Sequence, residues 1–293
     1  MTFPNNLKQH FEQVLADELK RDLRITRVAP LRGKSSLHQT FRLETTVGFV
    51  FAKLNYVQYL PHYQAEATGL QALERYLRIP KPLAVGKFLT YSYLLLTWIE
   101  ERPWTRGAWV ECGQELAYMH RHAGSEHFGW ESDNYLGTQL QLNTRSGNWH
   151  HFFVDYRLRP SVEACRQKSL LPEEDVRRFS RLYNRLPDLL VSEAPCLLHG
   201  DMWGANQLNT EQGIVFFDPA VHYGHREAEI ALTLLFRQFP AEFYEGYKSQ
   251  HPLQPGWEQR ARVYNLYPLL VHLSLFGTDY LPEVQSTLRH YAG

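Results

Sequence analysis

The chain has 293 residues, 44% of them hydrophobic and 14% aromatic, and its 31 Lys and Arg balance 31 Asp and Glu. That length has room for two lobes, and that apolar content excludes a disordered chain. Zero net charge excludes nucleic-acid or membrane-surface binding driven by bulk charge, and the longest apolar run, near residues 266–276, is broken by Pro268 and His272 and is too short to span a bilayer.

Leu7, Phe11, Val14, Leu15 and Leu19 recur at helical spacing and predict an amphipathic N-terminal helix. Strands are predicted over 25–31, 38–44 and 49–54, separated by the polar turn Gly33-Lys34-Ser35-Ser36 and by a second turn at 45–48. Lys53 lies among strand apolars, where an amine is costly unless it reaches a partner. Glu66, on a helix predicted over 63–77, offers that partner. The order of strand lysine then helix glutamate is that of a phosphate-anchoring ion pair in a nucleotide-binding lobe, with the first loop, at Gly33, Lys34 and Ser35, over the phosphates. Pro80 and Pro82 break the chain before a short strand at 83–85 and a longer one at 91–99. A strand crossing between lobes exposes backbone groups to a flat ligand edge, so adenine contacts are expected at Thr97 and Ile99, with Leu96 behind the pocket.

Beyond residue 100 the periodicity turns helical, over 109–120, 156–167, 172–190 and 227–236, with two more helices to the end. Within this part, residues 197–207 read Leu-Leu-His-Gly-Asp-Met-Trp-Gly-Ala-Asn-Gln, followed by the strand Val-Phe-Phe-Asp-Pro at 215–219. His199, Asp201 and Asn206 have the H-x-D-x-x-x-x-N spacing of a phosphotransferase catalytic loop. In such a loop the Asp receives the proton of the attacking hydroxyl and the Asn ligates Mg²⁺. Asp218 falls at the second metal ligand, and hard oxygens of this kind suit Mg²⁺. Asp201 and Asn206 as plain turn formers are the bland alternative. The fold class expected is α+β and bilobal, like a protein kinase. A small N-terminal lobe, 1–97, carries an antiparallel sheet and a helix; a larger, mainly helical catalytic and substrate-binding lobe covers 98–293. Cys112, Cys165 and Cys196 are isolated, with neither metal spacing nor a disulfide framework, and the polar N-terminus has no signal-peptide core; both fit a cytoplasmic setting.

The run at 197–206, the segment Phe-Asp-Pro-Ala-Val-His-Tyr-Gly-His-Arg-Glu-Ala-Glu at 217–229 and the tail Tyr-Pro-Leu-Leu-Val-His-Leu-Ser-Leu-Phe-Gly at 267–277 together resemble the fructosamine/ketosamine-3-kinase family. Phe128-Gly129, Asp133-Asn134, Gln141, Asn143, Trp149 and Phe152-Phe153 also match, so the resemblance covers nearly the whole chain. It implies ATP- and Mg²⁺-dependent phosphorylation of the sugar 3-hydroxyl of a ribulosamine or fructosamine, free or on a glycated protein side chain. The unstable product then releases the amine, which is deglycation. Carried over by position, Asp201 is the base, Asn206 and Asp218 the metal ligands, and Lys53 with Glu66 the phosphate anchor. Trp203, His225 and His272 are candidate substrate contacts, and Arg226–Glu227 is expected as a structural ion pair. Two positions depart from the family: Lys34-Ser35 stand where it carries a Gly-Gly pair, and Glu229 stands for its Asp, expected beside the loop rather than on the metal. Three rival readings remain: an aminoglycoside or choline-type acceptor, a nucleotide-binding pseudokinase, and a metal-dependent hydrolase built on His199, Asp201, Asp218, His222 or His225.

Overall fold

Apolar residues alternating along the first strands, and recurring at helical spacing elsewhere, sort this chain into an antiparallel sheet and a set of packed helices. The computed structural model describes residues 3–31, 38–236 and 239–293. The elements begin with α1 (Asn5–Leu19), β1 (Ile25–Pro30), β2 (Gln39–Thr45), β3 (Gly48–Tyr56), α2 (Leu60–Leu73), β4 (Pro82–Phe88) and β5 (Tyr91–Thr97). There follow α3 (Arg106–His122), β6 (Asn134–Leu136), β7 (Gln139–Gln141), α4 (Trp149–Phe153), α5 (Arg159–Gln167), α6 (Glu173–Leu189) and β8 (Cys196–Leu198). The chain ends with β9 (Gln207–Thr210), β10 (Gly213–Phe216), β11 (His222–Gly224), α7 (Arg226–Leu235), α8 (Ala241–Gln250), α9 (Trp257–Tyr264), α10 (Leu266–Phe276) and α11 (Leu281–Ala292). The class is α+β, as the order of strands then helices predicts. Two compact units form: Met1–Pro103 with Leu208–Asp218, and Trp104–Gln207 with Pro219–Gly293.

The first unit is built on an antiparallel sheet of order β1-β2-β3-β5-β4. One face carries Leu43, Ala52 and Leu95 and is covered by Leu7, Phe11 and Leu15 of α1. Side chains alternate across a strand, so Lys53, paired with Leu94, points to the other face. There α2 buries Tyr63, Ala67, Leu70 and Leu73. Residues 208–218 join this unit through hydrogen bonds from Phe216 N to Arg78 O (2.9 Å) and from Arg102 N to Asn209 O (2.7 Å). Helix α2 starts three residues before the predicted span and ends four before it, because Pro61 sits at its N-terminus and the chain turns after Leu73.

The second unit is mainly helical, with a core that includes Phe152, Leu158, Phe179, Leu182, Leu270 and Leu288. The helix predicted from residue 156 begins at Trp149 and passes through a π-helical turn, Val154–Leu158, before α5. Pro172 is the N-cap of α6 rather than inside it, with Glu173, Glu174 and Asp175 in the first turn favouring the positive helix end. Two small antiparallel pairs, the hairpin β6–β7 and the long-range pair β8–β11, are too short for a period-two pattern to announce them. Among the described residues no helix is long and apolar enough to cross a membrane.

Helices α3 and α8 cross at a distance that only glycine permits. A Cβ on Gly113 would stand 2.0 Å from Phe243 O, and one on Gly246 would stand 2.0 Å from Val110 O. Backbone cannot yield as a flexible side chain does. Gly246→Ala is therefore expected to lower unfolding stability by about 1–3 kcal/mol. Urea denaturation measures this, and an unchanged midpoint would contradict the tight crossing.

Candidate active site

In the first unit, the Lys53 ammonium bridges two carboxylates. It donates to Glu66 Oε1 and Oε2 at 2.8 and 2.9 Å and to Asp218 Oδ1 at 2.5 Å. Lys53 is 4% exposed, so the pairing answers the cost of burying an amine. Burial alone would push its pKa down; the two carboxylates outweigh that and hold it above its ordinary value. Burial pushes Glu66 up to about 7, because Asp218 repels its charge and Lys53 only partly offsets the penalty. Asp218 goes the other way: burial opposes ionisation, but contact with Lys53 holds it below the ordinary range. Asp218 has φ +56°, a left-handed conformation that Asp tolerates better than most residues and that turns the chain sharply after β10.

His38 lies beside this triad. Its Nδ1 accepts from Asn55 Nδ2 (3.1 Å) and meets the Tyr63 hydroxyl (3.2 Å). Burial, reinforced by the Lys53 charge, lowers its pKa to about 4, so the ring is neutral at physiological pH. Gly33, Lys34 and Ser35 lie outside the described residues. Leu96 is buried on the Lys53 face of the sheet. Thr97 does not present its amide, which donates to Lys81 O at 3.0 Å; β5 and the chain before β4 consume it. From Trp98 to Glu101, by contrast, no backbone-to-backbone bond is made among the described residues, which leaves Ile99 with uncommitted groups.

In the second unit the loop 199–206 is held from both sides. Asn206 Nδ2 donates to Asp201 O (2.8 Å) and to Asp201 Oδ2 (2.9 Å), fixing the Asp201 carboxylate. The amide nitrogen of Asn206 is thereby spent, and its Oδ1 is the atom left to serve as a ligand. Trp203 is partly exposed on this loop, with its N–H on Asp201 O at 3.0 Å. His199 is fully buried, and its Nδ1 faces the Asp201 amide at 3.3 Å. Gly200 has φ +83°, and a Cβ there would stand 2.0 Å from Ala220 O, so glycine is required on two counts.

Glu229 supports the loop from beneath. Its carboxylate accepts from His199 N (2.9 Å), Gly200 N (2.6 Å) and His120 Nε2 (2.8 Å), while His120 Nδ1 meets the Tyr247 hydroxyl at 2.8 Å. Glu229, His120 and Tyr247 are all buried. Burial opposes charge on Glu229, yet the His120 ring and the loop amides more than compensate and keep its pKa below 4.5. Sequence reasoning placed Glu229 beside the loop but missed His120 and Tyr247; a histidine in the buried stripe of α3 was the available signal.

Two expectations are corrected, for His225 and for the pair Arg226–Glu227. His225 does not reach out to a ligand: it is fully buried, its Nδ1 caps α7 by accepting from Glu227 N (3.1 Å), and its Nε2 donates to Val191 O (3.1 Å). Arg226 and Glu227 do not pair with each other. Neighbours on a helix diverge, so Arg226 binds Glu193 (2.6 and 2.8 Å) and Glu227 binds Arg260 (2.6 and 2.7 Å). His272 donates from Nδ1 to Pro268 O (2.7 Å) and packs among Phe236, Phe276 and Tyr280, an aromatic cluster that includes no residue of the catalytic loop.

Glu229→Gln would turn an NH₂ group toward the Gly200 amide on one side, or toward the His199 amide and His120 on the other, and remove the charge. The expected loss is about 3 kcal/mol of stability. Because the folded pKa of Glu229 is depressed, its contribution is fully present above pH 4.5 and is lost as the pH falls through the folded value. Denaturation across pH 3–7 should show the wild-type advantage shrinking at the acid end; a constant gap would contradict this assignment.

These two half-sites can be set against known proteins. The sequence model of fructosamine kinase matches residues 7–292. The "Probable ketoamine kinase slr1563" of Synechocystis is 38% identical over 245 residues, covering 82% of this chain and 81% of its own. A Haemophilus somnus chain whose crystal structure carries a fructosamine-3-kinase name superposes with a TM-score of 0.89 at 25% identity, over 98% of this chain and all of that one. A ternary complex of the aminoglycoside phosphotransferase APH(4)-Ia with ADP and hygromycin B gives a TM-score of 0.65 at 15% identity, over 96% and 99% of the two chains, and shows the shared protein-kinase-like fold. The chain therefore belongs to the fructosamine kinase family and is a kinase.

Proposed function

We propose that the protein transfers the γ-phosphoryl group of ATP to the 3-hydroxyl of a ribulosamine or fructosamine, in the cytoplasm, and so initiates deglycation of small amines or glycated protein side chains. The observation that carries this reading is the grip of Asn206 on both the backbone oxygen and the carboxylate of Asp201. A carboxylate fixed in this way can orient an acceptor hydroxyl and take its proton as the oxygen attacks phosphorus. The bond from phosphorus to the bridging oxygen breaks, and ADP leaves. The Lys53 ammonium, aligned by Glu66, is the cation offered to the phosphates. Uncommitted backbone at Ile99 suits an adenine edge. The family resemblance and the nucleotide bound by APH(4)-Ia support ATP as donor.

Each of the two candidate ligands, taken by itself, has the chemistry that suits Mg²⁺. Asn206 Oδ1 is a hard oxygen left free by its own amide's commitment, and Asp218 is a carboxylate held ionised. One ammonium against two carboxylates also leaves surplus negative charge at Lys53, Glu66 and Asp218. Mg²⁺ supplies charge neutralisation of the phosphates when bound. The hydrolase reading is weaker: His222 and His225 are buried on backbone carbonyls, and no described group of three or more His, Cys, Asp or Glu is arranged to hold a metal.

Incubation with Mg²⁺-ATP and a ribulosamine, a fructosamine, kanamycin or choline, followed by mass spectrometry, tests the reading. A gain of one phosphate on a ketoamine is expected, with Asp201→Asn slower by about 100-fold or more. Phosphate only on kanamycin or choline would overturn the acceptor assignment.

A further inference from the structure

A chain of buried carboxamides, Asn134, Gln141 and Asn143, lies in the second unit with no role in the mechanism above. Each is anchored by a backbone carbonyl, which can only accept, and this fixes which end of each amide carries hydrogen. Asn134 Nδ2 donates to Val221 O (2.7 Å), Gln141 Nε2 to Ala220 O (3.1 Å), and Asn143 Nδ2 to Ser132 O (3.1 Å). Asn134 Oδ1 then accepts from both Gln141 (2.7 Å) and Asn143 (3.0 Å). Asn143 Oδ1 accepts from the buried guanidinium of Arg157 at 2.7 Å. No described carboxylate lies within ion-pair distance of Arg157. It also donates to Leu142 O and Tyr156 O and packs over the ring of Tyr267, 5.5 Å from its centroid.

The chain of directions ends at Tyr267. Gln141 has no hydrogen left at Oε1, so the Tyr267 hydroxyl must donate to it, at 2.9 Å. The phenol hydrogen is therefore pinned toward Gln141, and the oxygen's remaining capacity is to accept. Tyr267 is half-buried on the first turn of α10. It lines a cavity of ≈ 40 Å³ with Gly200, next to the base in sequence, and packs near Ala220, whose amide bonds His199 O at 2.9 Å. The Asp201 charge is close enough to act on the phenol, adding to the burial that pushes it up to about 12.

We propose that Tyr267 is a specificity residue for the phosphoryl acceptor, its oxygen locked by Gln141 as a hydrogen-bond acceptor for an N–H or O–H of the substrate. This deepens the functional reading above and rests on it for the substrate class. A ketoamine presents a protonated secondary amine and hydroxyl groups that can donate, beside a carbonyl oxygen that can only accept. Two acceptors, the Asp201 carboxylate and the Tyr267 oxygen, match those donors, and the buried amides keep Tyr267 from turning its own hydrogen outward. Such a device rejects acceptors that present only lone pairs there, because an acceptor facing an acceptor leaves both unsatisfied.

The test is steady-state kinetics of Tyr267→Phe, which keeps the ring against Arg157 and removes only the oxygen. The acceptor KM should rise about tenfold while the ATP KM stays within about twofold; the unfolding temperature falls by a few degrees because Gln141 Oε1 loses its donor, and the variant stays folded at the assay temperature. Gln141→Met leaves the phenol but frees its hydrogen, and should also raise the acceptor KM selectively; it serves if Tyr267→Phe fails to fold. If the wild type phosphorylates a ketoamine and Tyr267→Phe has an unchanged acceptor KM, or loses kcat and ATP affinity instead, the Tyr267 assignment is wrong and the functional reading stands. If the wild type phosphorylates kanamycin, and Tyr267→Phe raises the kanamycin KM, the ketoamine reading falls and the Tyr267 assignment stands. If no panel acceptor is phosphorylated and none shifts the unfolding temperature of the wild type in the presence of AMP-PNP, both fall.

Discussion

A carboxylate sealed inside the protein is what the catalytic loop stands on. Loops are poor supports, because their amides ordinarily turn to water. Here the amides of His199 and Gly200 turn inward to Glu229, which is held in turn by a histidine from α3. The loop thus inherits the rigidity of two helices, and the positive φ of Gly200 is the local cost of bending its backbone over Glu229. Asp201 and Asn206 complete the arrangement from above. A carboxylate whose orientation is fixed before a ligand arrives loses little freedom when one does.

Charge follows a different logic in the first unit. Lys53 is buried and shared between Glu66 and Asp218, and the three groups do not divide their protons evenly. Burial raises Glu66, whereas contact with Lys53 lowers Asp218.

Much of this was legible before any coordinates. The strands along the first unit, the pairing of Lys53 with Glu66, and the loop at 199–206 are written in short-range patterns: alternation, helical spacing and a fixed motif length. What stayed hidden depends on contacts between distant parts of the chain. Nothing near His120 announces that its ring will meet Glu229, 109 residues away. His225 read as a ligand because histidine next to an acid is common at reactive sites, yet its place at the start of α7 made it a cap. Arg226 and Glu227 looked paired because opposite charges adjacent in sequence suggest it, and helix geometry separates them. Asn134, Gln141 and Asn143 stood out in the sequence, but the direction of their hydrogen bonds only becomes readable from the carbonyls that anchor them.

The close crossing of α3 and α8 reaches further than packing. Gly113 lies two turns before His120 on α3, and Gly246 is the neighbour of Tyr247 on α8. The two glycines that let the helices touch therefore also set the spacing at which Tyr247 meets His120. Loosening of this contact would be felt at the loop 199–206 through Tyr247, His120 and Glu229.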